Sequence, residues 1–263
     1  RSDFVIAPDR RSAAVHAIVA HWERLARDWD CVSLCHVPDH SGSLRDIEAA
    51  VSRAKGLRMV PQGAAPAECF LPVDGTWEGY LGARSPGFRK MLKYQCGRVE
   101  RLGEVRYRRY RERSDLEPAL RELLDIEARS WKSAGGERLS SFDRTLFLKV
   151  AGEMPEDFGY EVLFLDVADR AVAGLFSILH GDRLYAFLTY YDGRFADAYP
   201  GRPLFRRFIQ EAFRAPGIAE ISFVSDSPFV RSWTSHLRTY AECRIYNRRP
   251  LSRALERAGR RSG

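Results

Sequence analysis

The residues most suggestive of chemistry form the polar loop Asp192–Arg202, which leads into a helix predicted over Pro203–Phe213. The free N–H groups and the dipole of a helix N-terminus bind anions such as phosphate. Gly201 allows close backbone approach, and a proline suits the first helical turn. Arg202 and Arg206 add positive charge. The loop therefore predicts a phosphate site, with a plain Pro-Gly turn before a helix as the alternative.

Four residues are candidates for moving a proton: Glu127, Tyr190, Tyr191 and Asp192. A carboxylate acts as a general base directly or through water, and a tyrosine hydroxyl protonates a leaving group. Because side chains alternate along a strand, only one of the neighbouring tyrosines can face a common cleft. We select Glu127, Tyr190 and Asp192 as the catalytic candidates. The alternatives are a turn residue at Asp192 and an ordinary helix position at Glu127.

Several common catalytic motifs are missing from the sequence. There is no GxSxG, P-loop or Rossmann fingerprint, which argues against the commonest hydrolases, NTPases and dehydrogenases. The six histidines show neither an HExxH motif nor a paired spacing, so we expect no metal. The five cysteines contain no CxxC pair, which favours reduced thiols and a cytoplasmic protein.

The composition is that of a globular protein. Among 263 residues, 45% are hydrophobic and 29% are charged. The net charge of +7 permits an anionic ligand without requiring one. The apolar runs are too short to cross a bilayer, so we predict no membrane span. The chain begins with Arg1 rather than Met, and we therefore expect a fragment of a longer protein.

The first part of the chain alternates between strand and helix patterns. The periodicity predicts strands at Asp3–Ile6, Cys31–Val37, Leu57–Val60 and Cys69–Leu71, and helices at Ala13–Trp29 and Ser43–Ala54. Helices at Trp77–Ala83 and Phe88–Leu102 and a strand at Val105–Arg111 follow, all in a basic stretch. This stretch is either a solvated charged face or an anion-binding surface.

The remainder of the chain predicts an ordered series of elements. Helices at Leu116–Trp131 and Phe142–Glu153 precede three strands, at Glu161–Asp166, Arg170–His180 and Leu184–Tyr191. Since short turns join these strands, we expect an antiparallel meander. After the polar loop and its helix we predict the strand Glu220–Val224, the helix Ser227–Leu237 and the strand Ala241–Tyr246. The pattern indicates an α/β fold with a mixed sheet.

Short blocks in this order resemble the CelD/BcsL group of the GNAT acyltransferases, which is linked to cellulose and exopolysaccharide biosynthesis. The blocks are Phe88–Leu92 with Val99–Leu102, Glu127–Lys132, Tyr191–Asp192 followed by Tyr199–Gly201 and Leu204, and Asp226 with Arg231 and Trp233. Arg231 stands where the group usually has lysine. The resemblance extends from Phe70 to Tyr246.

The resemblance implies a GNAT fold in a tandem arrangement, as in the Fem-type transferases, with an incomplete first half. Residues 1–72 would be the remainder of the N-terminal half, and residues 73–115 a basic connector. Residues 116–247 would form the C-terminal GNAT domain, followed by a basic tail at 248–263.

The resemblance also implies an N- or O-acyltransferase that uses acetyl-CoA or another acyl-CoA. The acceptor would be a saccharide, another small molecule or a cell-envelope precursor. The implied cofactor-binding residues are Tyr199, Pro200, Gly201, Arg202, Leu204 and Arg206. The implied acceptor-binding residues are Trp131, Lys132, Asp226 and Trp233.

The loop before Pro203 departs from the usual GNAT pattern, Arg/Gln-x-x-Gly-x-Gly/Ala, because it has one glycine instead of two. Fem-type enzymes share this trait and use aminoacyl-tRNA. A second hypothesis is therefore a tRNA-dependent transferase, with the basic residues 84–113 as the RNA footprint. A third is a non-catalytic module that binds an anionic polymer. We expect no DNA partner under any of them.

Overall fold

The computed structural model of the chain describes residues 3–38, 42–62, 67–130, 140–153 and 158–259. The helices in these ranges are α1 (Arg11–Arg24), α2 (Ser43–Arg53), α3 (Trp77–Ala83), α4 (Pro86–Glu100), α5 (Arg113–Ala128), α6 (Ser141–Glu153), α7 (Gly201–Ala212), α8 (Pro228–Arg231) and α9 (Pro250–Gly259). The strands are β1 (Cys31–Pro38), β2 (Leu57–Pro61), β3 (Ala67–Pro72), β4 (Val105–Tyr110), β5 (Phe158–Val167), β6 (Arg170–His180), β7 (Arg183–Tyr191), β8 (Glu220–Ser222) and β9 (Leu237–Asn247).

The chain divides into two compact units. The first comprises Arg1–Glu68 and Leu237–Gly263, and the second comprises Cys69–His236. In the first unit β9 pairs antiparallel with both β1 and β2. Helices α1 and α2 pack through Val19 and Ile47 into a core that includes Ile245 of β9. The tandem arrangement predicted from the resemblance stays a prediction.

The second unit is built on a mixed sheet in the order β3-β8-β7-β6-β5-β4. Its middle is the antiparallel meander β5–β6–β7, which confirms the sequence prediction. Residues Ala168 and Asp169 join β5 to β6 with φ values of 49° and 61°. This left-handed backbone at two successive residues is typical of a tight hairpin turn.

Helices cover both faces of this sheet because its strands alternate between two cores. On one face Val162 and Phe164 of β5 pack with Leu123 of α5. On the other face Leu163 and Leu165 belong to the core formed with α4 and α7. Alternate side chains of one strand therefore serve different helices, as the pleat requires. The mixed α/β class predicted from the sequence is confirmed.

Two predicted elements differ from the structure. Residues 3–7 form no strand: Phe4 and Ile6 pack against the core of the first unit and Val5 is exposed, but no described strand pairs with this segment. The helix predicted over Ser227–Leu237 ends at Arg231. The Thr234 hydroxyl donates to the Phe70 carbonyl at 2.8 Å and accepts from the His236 amide at 3.1 Å. These side-chain hydrogen bonds compete with the helical ones and favour a turn.

Candidate active site

The parallel strands β7 and β8 pair over only three residues before they separate. The last opposing residues are Tyr185 and Ser222, whereas β7 continues to Tyr191. A cavity of about 430 Å3 lies beside the separating strands, and we name it the β7–β8 cleft. It is lined by Ala186, Phe187, Thr189, Tyr191, Gly201, Phe205, Phe223, Val224, Ser225, Ser227, Phe229 and Val230.

Strand β7 contains a bulge at Phe187. In its register with β6, Leu188 lies opposite Phe176 and Ala186 opposite Ser177, so Phe187 is the extra residue. A single extra residue reverses the alternation of side chains beyond it. The edge of β7 beyond Tyr185 also lies outside the parallel register with β8. Peptide groups at such an edge can bind an extended ligand as a further strand would.

The bulge decides which of the two adjacent tyrosines faces the cleft. Ala186 packs into the α4–α7 core, yet Tyr190 packs into the α5 core, on the opposite face. Tyr191 lines the β7–β8 cleft. Burial raises the pKa of Tyr191, so its hydroxyl stays protonated at neutral pH. Of the two tyrosines considered from the sequence, the structure thus places Tyr191 in the cleft.

The loop before α7 contributes few backbone donors. Tyr199 has a left-handed φ of 58°, and Pro200 is the N-cap residue of α7. Neither Pro200 nor Pro203 carries an N–H. The amides of Arg202 and Leu204 donate to the carbonyls of Tyr199 at 3.0 Å and Pro200 at 3.4 Å. Among the described residues, this leaves the Gly201 amide of the turn available for a ligand.

The other predicted cofactor-binding residues lie in three different surroundings. Arg202 stacks 4.6 Å from the ring centre of Phe229 and donates to the Ser232 hydroxyl at 2.6 Å. Burial lowers the pKa of Arg202. Arg206 lines a separate cavity of about 420 Å3 with Cys96. Leu204 is fully buried in the core. Only Gly201, of the six predicted residues, lines the β7–β8 cleft.

Glu127 lies at the end of α5 in a fully buried position. Its carboxylate accepts a hydrogen bond of 2.7 Å from the Arg144 guanidinium of α6. Tyr190 lies nearby, and its pKa is raised to about 12, first by burial and then by the Glu127 charge, with Arg144 opposing the shift. Glu127, Arg144 and Tyr190 therefore form one polar cluster on the α5 face of the sheet.

Asp192 is held by three arginines at the end of β7. Its inaccessible carboxylate accepts hydrogen bonds from Arg194 and, at 3.1 Å, from Arg129, and Arg170 lies 3.8 Å away. It also accepts from the Arg194 amide and so caps the 3-10 turn Gly193–Ala198. These partners, the Arg194 side chain foremost, lower the pKa of Asp192 to about 2. A carboxylate with such a pKa is a poor base at neutral pH.

The two predicted acceptor-binding residues that the structure describes, Asp226 and Trp233, do not line the cleft. Asp226 accepts a 3.0 Å hydrogen bond from Arg231, on the exposed side of α8. Trp233 is fully buried, edge to face with Phe88 at 5.2 Å. Trp131 and Lys132 lie outside the described residues.

Sequence patterns missed Phe187, Val224 and Phe229 in the cleft and Arg144 beside Glu127. The first two owe their positions to backbone irregularities, which apolar sequence runs do not reveal. Arg144 pairs with a residue 17 positions earlier in the chain, a spacing without a sequence signal. For Phe229 the sequence offers a single signal, the Pro-Phe pair that follows β8.

The described residues provide neither a metal centre nor a helix that could span a membrane. They contain no group of three or more His, Cys, Asp or Glu side chains placed to hold a metal ion. Within the same residues, every helix is too short or too polar to cross a bilayer.

A family model described as an acetyltransferase (GNAT) domain matches residues 86–229, more than half of the chain. These residues include β5, β6 and β7, the loop before α7 and the separation of β7 from β8. The chain therefore belongs to the GNAT acetyltransferase family, and it is an acyltransferase. A search of curated proteins finds no match.

Solved structures with the same fold cover nearly the whole chain. The structure of FemX has a TM-score of 0.62 at 12% identity, covering 97% of this chain and 81% of that one. The structure of L-PGS from Bacillus licheniformis has a TM-score of 0.58 at 14% identity, covering 96% of this chain and 78% of that one. The C-terminal domain of a putative lysylphosphatidylglycerol synthetase from Agrobacterium fabrum has a TM-score of 0.56 at 14% identity, covering 93% of this chain and 76% of that one. At these identities the similarity shows the fold alone.

Proposed function

We propose that this protein transfers an acyl group from acyl-CoA to a hydroxyl or amine of a saccharide or another cell-envelope precursor. The observation that carries the donor assignment is the β7–β8 cleft, where β7 continues beyond its register with β8 and can offer peptide groups to an extended arm. The acceptor class is proposed from the resemblance of the sequence blocks to the CelD/BcsL group.

In this proposal the donor thioester lies at the β7 bulge. The acceptor oxygen or nitrogen attacks the thioester carbonyl, and the carbon–sulfur bond then breaks. A backbone peptide outside the ladder, at Phe187, is available to stabilise the developing oxyanion. The acyl group ends on the acceptor, and the carrier leaves as a thiolate.

Two residues on opposite faces of the sheet account for the protons. Glu127 takes the acceptor proton on the α5 face, where the Arg144 guanidinium donates a hydrogen bond to its carboxylate and holds it in place. Tyr191, which stays protonated in the cleft, donates to the leaving thiolate. We assign Asp192 a positioning role, because its charge is committed to three arginines.

Calorimetric titration with acetyl-CoA tests the donor assignment. A Cβ atom added at Gly201 would lie 3.7 Å from the Phe229 ring, an ordinary contact, so Gly201→Ala should bind like the wild type. The indole of Gly201→Trp would enter the space between Gly201 and Phe229 and should abolish binding. Undetectable binding of the wild type at millimolar acetyl-CoA, or full binding by Gly201→Trp, would refute the assignment.

A second candidate, transfer from aminoacyl-tRNA, is favoured by the exposed face of α4. Lys90, Tyr94, Arg98 and Arg101 follow one another at helical spacing, and Tyr94 is 56% exposed. The Arg98 guanidinium lies 5.9 Å from the Tyr94 ring centre and 5.7 Å from that of Tyr199, in the loop before α7. Basic and aromatic side chains together bind single-stranded nucleic acid. This candidate predicts tRNA binding that weakens steeply with salt, measurable by fluorescence anisotropy.

A further inference from the structure

Val224 is the extra residue of a second bulge, directly after β8. The Phe223 amide donates to the Cys69 carbonyl at 3.0 Å, and the Cys69 amide donates to the Ser225 carbonyl at 2.8 Å. Phe223 and Ser225 therefore share one partner residue, and Val224 between them lies outside the pairing. It lines the β7–β8 cleft together with Phe187, the extra residue of the first bulge.

The backbone of Val224 is strained, and packing does not explain the strain. Its φ is 52°, a left-handed value that is a genuine outlier for a β-branched residue. The residue is 40% exposed, so burial of its side chain compensates for little of that strain. Strained backbone persists where the surrounding structure enforces it, and such positions cluster at ligand sites.

Phe187 brings the second apolar side chain to the same place. It is 41% exposed and lines the cleft. Its ring packs edge to face with Phe147 of α6 at 5.9 Å and with Phe176 of the α5 core at 6.4 Å. Phe187 thus belongs to the α5–α6 face and to the cleft at once. It marks the point where the cleft reaches the face that carries Glu127.

The lining of the cleft discriminates between kinds of acyl group. Every described residue that lines it is uncharged. An acyl group with an ammonium substituent would lose water there without gaining a counter-charge, which is costly. A hydrocarbon chain would gain binding from burial against Phe187 and Val224, at roughly fourfold in affinity per methylene.

We infer that Phe187 and Val224 form an apolar collar that selects an uncharged hydrocarbon acyl group, and that Val224 limits its length. This inference rests on the proposed function only in that the donor occupies the β7–β8 cleft. It gives the transferred group a chemical class and makes Val224 a specificity-determining residue.

Calorimetric titration of the full chain with four probes tests the collar: CoA, acetyl-CoA, hexanoyl-CoA and β-alanyl-CoA. The wild type should bind acetyl-CoA at least about tenfold more tightly than β-alanyl-CoA, because of the uncharged lining. Val224→Gly opens the collar and should raise the affinity for hexanoyl-CoA relative to acetyl-CoA by roughly fourfold for each additional methylene that the collar then admits. Val224→Asp should shift the preference toward β-alanyl-CoA instead.

Ala168→Gly is the matched control, since Ala168 also has a left-handed φ, of 49°, in the β5–β6 turn. It relieves backbone strain without touching the cleft and should leave all four affinities in the wild-type order. Two results would overturn the inferred collar while leaving the donor assignment intact, provided that CoA still binds. They are equal affinity of the wild type for acetyl-CoA and β-alanyl-CoA, and an unchanged chain-length preference in Val224→Gly. Loss of binding for all four probes in the wild type instead overturns the donor assignment, and the collar with it.

Discussion

Replacing Asp192 by asparagine should destabilise the protein by about 2 kcal/mol at pH 7. The pKa of this carboxyl is lowered from 3.8 to about 2, chiefly by hydrogen bonds from the Arg194 side chain. One pKa unit corresponds to about 1.4 kcal/mol, which gives this magnitude for a side chain with no accessible surface. The three arginines are each about half exposed and can regain water in the variant.

The same pKa shift fixes how the effect depends on pH. The pKa of Asp192 is lower in the folded state, so its contribution is complete above about pH 5 and declines as the pH falls toward 2. Asparagine does not titrate. The difference in unfolding free energy between wild type and Asp192→Asn should therefore shrink to roughly half by pH 3.

Urea unfolding at pH 7 and pH 3, followed by circular dichroism, measures this difference. Asp226→Asn is the control, because Asp226 pairs with Arg231 while about half exposed and should contribute less than about 1 kcal/mol. A difference that stays constant between the two pH values would refute the electrostatic reasoning. So would equal effects of the two substitutions at pH 7.

Two further substitutions test the packing of α5 and the role of its last turn. Gly174→Ala should cost about 1–3 kcal/mol, because the added Cβ would lie 2.6 Å from the Leu123 side chain; thermal unfolding measures this. Gly82→Ala, with open space around the position, should not destabilise and serves as control. Glu127→Gln should lower turnover by about 10²–10⁴-fold while acetyl-CoA affinity is kept. Unchanged turnover in steady-state assays would exclude Glu127 as the base.

The sequence predicted the framework of the second unit because its signals are local. The apolar periodicity of α4 and α7 and the short turns of the β5–β6–β7 meander each depend on neighbouring residues. Strand Glu220–Val224 was also predicted, although the structure ends it at Ser222. The order of these elements together with the sequence blocks predicted a GNAT domain, which the family model over residues 86–229 confirms.

The details of the site depend on irregularities that a periodic pattern hides. Residues 184–191 read as one continuous apolar and aromatic run, in which strict alternation from Ala186 would place Tyr190 with the α4–α7 core. The extra residue at Phe187 reverses that parity and brings Tyr191 into the cleft. Asp192 illustrates a second limit, because its role depends on Arg129 and Arg170, which are distant in sequence.

The two bulges and the two prolines bear on which parts of the proposed donor contribute most to its binding. A GNAT loop rich in glycine binds phosphate through several amides, but here Pro200 and Pro203 remove two of them. Under the proposed function, affinity for the donor therefore comes more from the part of β7 that continues beyond its register with β8 and from the apolar collar. The part of the donor nearest the thioester would therefore contribute most to binding, at the place where the acyl group and the acceptor have to meet.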